Sequence, residues 1–280
     1  MYTKENPYRI FSSGGGVQSV AVAVLQVTGA IKPYDAHIFA NVGERAENPE
    51  TLAYVRDHLK PYLEAHSVIF VEVRKRDRRG QAIDLYDAVA RSDRRSVIIP
   101  AYLGQGGSTN RNCTTDWKIK QVDQNVRRAG HAAAVVGLGI SLDEWQRARG
   151  TQWHNETLSK NGKATAIGYW KRREYPLIDL TLSRDACIKL IVAAGLPIPP
   201  KSSCFFCPFK RKNEWIRLRA EQPELFRRAV ALEDAINAKG IHFDKRYYLS
   251  QFKRPLMEIP DQASMFGADD LSCDSGYCHT

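Results

Sequence analysis

Residues 12–19 form a glycine-rich junction between two apolar segments, and this junction strongly limits the folds open to the chain. They read Ser-Ser-Gly-Gly-Gly-Val-Gln-Ser. Tyr8–Phe11 before them has the pattern of a short strand, and Val17–Val27 after them has that of a helix packed on a sheet. Glycines at such a turn let the backbone approach an oxyanion, and the N–H groups at the start of the helix add a positive dipole end. The junction therefore predicts a site for a phosphate or pyrophosphate group.

Strand-like and helix-like segments alternate along the chain. The predicted strands after the first are Ala36–Ala40, Ser67–Val73, Ser96–Pro100 and His131–Leu138. The predicted helices between and after them include Pro49–Ala65, Thr114–Ala129 and Ser183–Ala194. This alternation predicts an α/β fold, with an open, mainly parallel sheet of five or six strands and helices on both faces. We expect residues 1–195 to form this nucleotide-binding domain and residues 196–280 to form a cysteine-bearing helical appendage.

Composition and charge limit the possible location and partners of the chain. A chain of 280 residues with 43% hydrophobic content can bury a full core. It has no apolar run of about 20 residues, the length needed to span a bilayer, and its N-terminus lacks the apolar core of a signal peptide. These features predict a soluble cytoplasmic protein with no membrane partner. The net charge of +10 suits a nucleic acid or a polyanionic small substrate.

The glycine-rich junction differs from two common phosphate loops. It lacks the Lys-Ser/Thr pair of the Walker loop and the third glycine of the dinucleotide fingerprint. It resembles the SGGxDS signature of the PP-loop family, whose N-type ATP pyrophosphatases and sulfonucleotide reductases act at a nucleotide α-phosphate. Gln18 stands where that family has an Asp tied to Mg²⁺–pyrophosphate handling. The resemblance implies phosphate contacts by Ser13, Gly14, Gly15, Gly16, Gln18 and Ser19.

Three further segments extend the resemblance. Arg111–Lys120 is similar to the middle motif of the phosphoadenosine phosphosulfate reductase family and of the related PP-loop enzymes of DNA phosphorothioation. Phe39–Glu44 resembles the second-strand motif that ends in Thr-Gly-x-Glu, with Val42 in place of Thr. Val135–Arg147 resembles a strand-to-helix element that flanks the nucleotide. The resemblance implies further nucleotide contacts by Asn41, Gly43, Glu44, Arg111, Lys118, Gly137 and Arg147.

The cysteines predict a metal site. Cys204-Phe-Phe-Cys207-Pro places two thiolates within reach of one metal, and Pro after the second Cys is frequent at iron–sulfur ligands. Cys113 is the candidate third ligand. Reductases of this family that carry a cluster usually have a Cys-Cys pair where this chain has Cys113-Thr114. A 4Fe–4S cluster and zinc would use the same donors. Cys187 lies in an apolar helical run and is interpreted as a small buried hydrophobe.

Two more cysteines lie in the C-terminal tail. In one hypothesis Cys273 is the fourth ligand of a 4Fe–4S cluster held with Cys113, Cys204 and Cys207. In another, Cys278 resembles the C-terminal nucleophilic thiol of sulfonucleotide reductases, and His279 would lower the pKa of that thiol. The remaining interpretation is a pair of free thiols.

Three functions follow from these motifs. The first is a PP-loop ATP pyrophosphatase that adenylates an acceptor for sulfur transfer, using ATP, Mg²⁺ and a 4Fe–4S cluster, with a sulfur donor protein as partner. The missing Cys-Cys pair and the basic composition favour this function, with DNA or tRNA as acceptor. The second is a reductase of adenylyl sulfate or phosphoadenylyl sulfate that uses Cys278 and a thioredoxin-like reductant. The third is a non-catalytic nucleotide- or nucleic-acid-binding protein with a structural metal.

Overall fold

The computed structural model describes residues 2–91, 97–104, 106–156, 159–160, 163–164, 169–239 and 246–260. The elements of the first half are β1 (Tyr8–Ser13), α1 (Val17–Val27), β2 (Ala36–Asn41), α2 (Pro49–Tyr54), α3 (Lys60–Ala65), β3 (Ile69–Arg74), α4 (Leu85–Ala90), β4 (Tyr102–Leu103), α5 (Asn112–Thr114), α6 (Lys120–Arg128) and β5 (Ala133–Leu138). Two π-helical segments, Val55–Leu59 and Thr115–Ile119, join α2 to α3 and α5 to α6.

The second half begins with a 3-10 helix over Leu142–Arg147 and ends with another over Leu256–Glu258. The elements between them are β6 (His154–Glu156), β7 (Ser159–Lys160), β8 (Lys163–Ala164), β9 (Tyr169–Glu174), α7 (Pro176–Asp179), α8 (Arg184–Ala193), α9 (Lys212–Glu221), α10 (Pro223–Asn237) and β10 (Tyr247–Tyr248). Within the described ranges, no helix combines the length and apolar character that crossing a membrane requires.

The main sheet has six strands in the order β3-β2-β1-β5-β9-β6. Each neighbouring pair is parallel except β9 and β6, which are antiparallel. This arrangement confirms the predicted α/β fold with a mainly parallel sheet. The chain proceeds from β1 to β2 and β3 on one side and places β5 on the other side of β1. The ends of β1 and β5 therefore form the switch point where open α/β sheets bind ligands.

Local signals explain where several helices begin. The Asn48 side chain accepts a hydrogen bond from the Glu50 N–H at the start of α2, and Pro49 occupies the first helical position. The Ser183 hydroxyl accepts from the Ala186 N–H at the start of α8. These caps lie where the sequence pattern predicts helix starts.

Strand β9 was not predicted from the pattern of apolar residues. It reads Tyr-Trp-Lys-Arg-Arg-Glu, and nothing in this charged run resembles a buried strand. The structure accommodates it because Lys171 is buried against Asp123 of α6, with Nζ 2.9 Å from Oδ1. Opposite charges that lie 48 residues apart thus allow a charged segment to complete the sheet.

Three apolar clusters place helices on both faces of the sheet. One lies between the sheet and α1 and α8, and includes Phe11 and Ile191. The second lies between the opposite face and α6, and includes Ile10 and Val126. The third joins α4 to the C-terminal helices α9 and α10 around Trp215. The cysteine-bearing appendage is therefore packed on the α/β part through a shared core.

Candidate nucleotide site and cysteine cavity

The glycine-rich turn follows β1 at the switch point of the sheet. Gly15 has φ +72°, a left-handed conformation that L side chains rarely adopt, and a Cβ on it would lie 2.8 Å from Val55 Cγ2. The Gly14 N–H donates a 2.8 Å hydrogen bond to Ser19 Oγ, which ties the turn to the first residues of α1. Only glycine fits at position 15, and Ser19 helps to hold the shape of the turn.

Two buried hydroxyls beside the turn have no hydrogen-bond partner among the described residues. Ser13 is 2% exposed, and its Oγ makes no hydrogen bond to a described residue. Thr51 is fully buried, and its Oγ1 likewise makes no hydrogen bond to a described residue. Thr51 lies next to Gly15, since its Cγ2 is 3.2 Å from the position of a Cβ on that glycine. Because buried hydroxyls are normally hydrogen-bonded, these two are suited to a ligand that supplies acceptor oxygens.

Gln18 contacts the Arg184 guanidinium beside the glycine turn. Its Oε1 accepts a 3.4 Å hydrogen bond from Nη1 of Arg184, the first residue of α8. The Arg184 backbone N–H donates to Asp143 Oδ2 in the 3-10 helix after β5. The sequence analysis did not identify Arg184, and no local motif marks it, because the contact spans 166 residues.

Asn41, Gly43 and Glu44 build the turn after β2. Asn41 Oδ1 accepts from the Gly43 N–H at 2.7 Å, and Asn41 Nδ2 donates to Glu44 Oε1 at 3.1 Å and to Glu72 Oε1 at 2.9 Å. Gly43 has φ +129°, and Asp84 occupies the space that a Cβ would need. These three residues lie at and just after the carboxyl end of β2. Their hydrogen bonds show a role in shaping the turn, and nucleotide contact stays a prediction.

The remaining predicted nucleotide residues are spread over the site. The Arg147 guanidinium donates from Nη1 to Glu144 Oε2 at 2.6 Å, and both side chains are buried. Gly137 lies within β5, where the Tyr34 ring fills the space that a Cβ would take.

Arg111 stacks on the Phe209 ring, with its guanidinium carbon 5.1 Å from the ring centroid. Lys118 forms an ion pair with the buried Glu47 carboxylate, from Nζ to Oε1, at 3.5 Å.

Three of the predicted metal ligands meet at one cavity. Cys113, Cys204 and Cys207 line one small cavity whose walls are largely apolar, with Val42 and Phe206 among them. Among the described residues, no three His, Cys, Asp or Glu side chains are arranged to hold one metal ion. The donor chemistry nevertheless fits a soft metal, because three cysteine sulfurs facing one largely apolar space suit iron–sulfur or zinc ligation.

The cysteine loop lies directly beside the glycine turn. Residue 204 pairs with Glu47 in an antiparallel β-bridge, and a Cβ on Gly16 would lie 2.6 Å from Ser202 Oγ. Glu47 is 2% exposed, and Lys118 lines the cysteine cavity while it pairs with Glu47. Sequence reasoning missed Glu47 and Ser202. The one local signal for Glu47 is an acid immediately before the Asn48 cap, which does not distinguish it from an ordinary surface residue.

A buried cation lies close to the two cysteines of the loop. Burial lowers the pKa of Lys210 from its ordinary value, while Glu214 and Cys207 act in the opposite direction. The Lys210 ammonium, Glu214 and the two cysteines therefore interact electrostatically within this loop. Cys187 differs, because its thiol is fully buried in the core and burial raises its pKa to about 12. The structure thus confirms that Cys187 is a buried apolar residue.

The tail residues Cys273, Cys278 and His279 lie outside the described residues, so their predicted roles as fourth ligand, nucleophile and pKa partner stay predictions.

Comparison with known proteins gives little further information. No protein-family model and no curated protein matches the chain. Among solved structures, one match is the "U34-tRNA thiolase NcsA from Methanococcus maripaludis with its [4Fe-4S] cluster". It is 13% identical, the alignment covers 84% of this chain and 72% of that one, and the TM-score is 0.40. A similarity of this degree says nothing about what this chain binds.

Proposed function

We propose that this chain is a PP-loop ATP pyrophosphatase that adenylates an acceptor for sulfur transfer, with an iron–sulfur cluster at Cys113, Cys204 and Cys207 and a nucleic acid as acceptor. One observation carries the proposal. The glycine turn, with a Ser13 hydroxyl that has no partner in the described part of the chain, adjoins the loop whose two cysteines share a cavity with Cys113. A site that activates an acceptor and then exchanges its oxygen for sulfur needs both parts close together.

The glycine turn would hold the leaving group. Backbone N–H groups of the turn and the start of α1, an 11-residue helix, face anionic oxygens. The Ser13 hydroxyl can donate to the same oxygens, and Arg184, held near the turn by Gln18, supplies positive charge as pyrophosphate forms. No carboxylate stands at position 18, so Mg²⁺ would arrive bound mainly to the phosphates of ATP.

The chemistry proceeds in two displacements. An acceptor oxygen attacks the α-phosphorus, the new O–P bond forms, and the bond to the β-phosphate oxygen breaks so that pyrophosphate leaves. A sulfur nucleophile then attacks the activated carbon of the acceptor. The new C–S bond forms, and the bond from that carbon to the oxygen of the AMP group breaks, so that AMP leaves. When bound, a cluster would supply the site from which sulfur is delivered. Arg111 and Lys118 line the cysteine cavity and would neutralise the charge of AMP as it leaves.

The test uses anaerobically purified protein with α-labelled ATP and Mg²⁺, with and without DNA or tRNA, and follows pyrophosphate, AMP and adenylylated product. Ser13→Ala removes a hydroxyl that makes no hydrogen bond within the described part of the chain, so it should leave stability unchanged. We expect pyrophosphate release to fall about 10- to 100-fold, as for a lost hydrogen bond to a charged group.

Two further variants complete the comparison. Ser250→Ala removes a buried hydroxyl in the C-terminal part and should release pyrophosphate at the wild-type rate. Cys207→Ser should lose most of the bound iron while it retains pyrophosphate release. Absence of turnover in the wild type with every acceptor would overturn the proposal, as would equal rates in Ser13→Ala and wild type.

A further inference from the structure

A second cavity lies on the face of the sheet that packs against α6, opposite the face that packs against α1. It has a volume of about 70 Å³ and lies between α6 and the carboxyl ends of β1, β5 and β9. Its floor is apolar and includes Val122, Val136 and Leu138. An apolar floor bordered by a few polar groups is the usual lining of a small-molecule site, and it can pack against one face of a planar ring. No residue that lines this cavity, apart from Lys118, belongs to the predicted nucleotide or metal site.

Positive charge surrounds this apolar floor. Lys118, Arg149, Lys171 and Arg173 line the cavity, against a single carboxylate, Asp123. Lys171 neutralises Asp123, and Lys118 pairs with Glu47. Within the part of the chain that the structure describes, the guanidinium groups of Arg149 and Arg173 make neither a hydrogen bond nor an ion pair. Two uncompensated guanidinium groups beside an apolar floor are suited to a ring that carries a phosphate.

Hydrogen bonds fix the Arg149 backbone and the Lys171 side chain at this cavity. The Tyr175 hydroxyl accepts from the Arg149 N–H at 2.7 Å and donates to the Arg149 carbonyl oxygen at 2.8 Å. Below it, Asp123 Oδ1 accepts from the Tyr169 hydroxyl at 2.5 Å and from Lys171 Nζ at 2.9 Å. Tyr169, Lys171 and Asp123 are each less than 5% exposed. The Arg149 backbone and the Lys171 ammonium are thus fixed at the wall of the cavity, and the Arg149 side chain extends from an exposed position.

The cavity is also next to the reactive site. Lys118 lines both this cavity and the cysteine cavity. Ser12 and Leu138, which line it, are in the strands that lead into the glycine turn and into the segment after β5. A group held here can therefore be presented to both the nucleotide and the cysteines.

We infer that this cavity receives one nucleotide unit of the acceptor nucleic acid, with its base on the apolar floor and its phosphate against Arg149 and Arg173. The inference rests on the proposed function for the identity of the acceptor, while binding itself can be measured without ATP. A free nucleotide such as ATP has the same chemistry, and the experiment below separates the two sources.

The experiment measures binding of a fluorescein-labelled single-stranded oligonucleotide of 12 residues, as RNA and as DNA, by anisotropy over a series of salt concentrations. Arg173→Gln removes one unpaired guanidinium from the cavity. Arg172→Gln is the matched control, because Arg172 is the next residue of β9, lies over the Trp153 ring and pairs with Glu174. The same variants are titrated with a fluorescent ATP analogue, and their thermal unfolding is recorded.

We expect Arg173→Gln to weaken binding of at least one of the two oligonucleotides about tenfold. It should also reduce the slope of log K against log salt by about 0.7, the value for one phosphate contact on a single strand. Arg149→Gln should act similarly, while Arg172→Gln and the affinity for the ATP analogue stay unchanged. Loss of affinity for the ATP analogue with unchanged oligonucleotide binding would overturn the inference, as would wild type that binds neither oligonucleotide. Oligonucleotide binding that depends on Arg173, without pyrophosphate release, would support this pocket and contradict the proposed function.

Discussion

At the scale of single residues, the hydrogen bonding of buried polar groups distinguishes residues of the site from residues of the core. Ser13 Oγ is buried without a partner among the described residues and lies at the glycine turn. His37 is equally buried, and its Nδ1 also has no partner among the described residues, but its Nε2 lies 3.0 Å from Gln26 Oε1, which also accepts from the Tyr34 N–H. The first group is suited to a ligand and the second belongs to a fixed core network.

His37 should make the protein sensitive to mild acid. Burial lowers its pKa to about 3, whereas in the unfolded chain it titrates near 6.5. The unfolded state therefore takes up a proton as the pH falls below about 6.5, and the folded state does so only near pH 3. This residue's contribution to the free energy of unfolding is present above pH 6.5 and falls by about 1.4 kcal/mol per pH unit below it.

Replacement of His37 tests this contribution. Urea unfolding at pH 7.5 and pH 5 should show a loss of stability that is about 2 kcal/mol smaller in His37→Phe than in wild type. The exposed His58 is the control, and His58→Phe should keep the wild-type pH dependence. An unchanged pH dependence in His37→Phe would show that the ring is protonated in the folded state.

At the scale of elements, two interrupted helices shape the site. The π-helical segment Val55–Leu59 presents Val55 to the glycine turn, and the segment Thr115–Ile119 carries Lys118 to the wall between the two cavities. Such segments occur often at functional sites because they change the direction of side chains within a helix. The apolar pattern of both regions predicts helix and gives no sign of the interruption.

The glycine turn should be intolerant of a side chain. Gly15→Ala places a Cβ at φ +72° and 2.8 Å from Val55 Cγ2. Gly29→Ala is the matched control, since Gly29 has φ +74° and no heavy atom within 4 Å of a Cβ. Both variants carry a backbone cost of about 1 to 2 kcal/mol, and crowding should add about 1 to 3 kcal/mol in Gly15→Ala alone. Thermal unfolding measures the difference, and equal destabilisation would mean that Val55 moves away without cost.

At the scale of the whole molecule, the appendage and the α/β part share one core. Val42 and Trp117 come from the first part, and Phe205 and Trp215 come from the second, and all four belong to the same buried cluster. The division at residues 195 and 196 remains a prediction about domains. The shared cluster makes the two parts dependent on each other for stability.

Calorimetry tests this dependence. Trp215 is fully buried, so Trp215→Ala should lower the free energy of unfolding by about 3 to 5 kcal/mol. Because the core is shared, wild type and variant should each unfold in a single transition, with that of the variant at a lower temperature. Trp145 is 62% exposed, and Trp145→Ala should change stability by less than about 0.5 kcal/mol. Two separate transitions, with only one shifted by Trp215→Ala, would support independent domains.

Local patterns in the sequence determined the general architecture. Alternating apolar strands and amphipathic helices predicted the sheet, and the glycine turn and the end of β2 were predicted at its carboxyl edge. The caps at Asn48 and Ser183 were readable because a capping side chain bonds to a backbone group two or three residues away. The spacing of Cys204 and Cys207 was equally local.

The tertiary structure alone decided how the site is assembled. Strand β9 forms because Asp123 neutralises Lys171, and Glu47 is buried because it pairs with Lys118 and bridges to residue 204. The meeting of Cys113 with the cysteine loop, and of Arg149 with Arg173 around one cavity, depends on the order of strands in the sheet. Charge pairing and burial between residues far apart in the chain leave no periodic trace in the sequence, so they become visible only when the chain is folded.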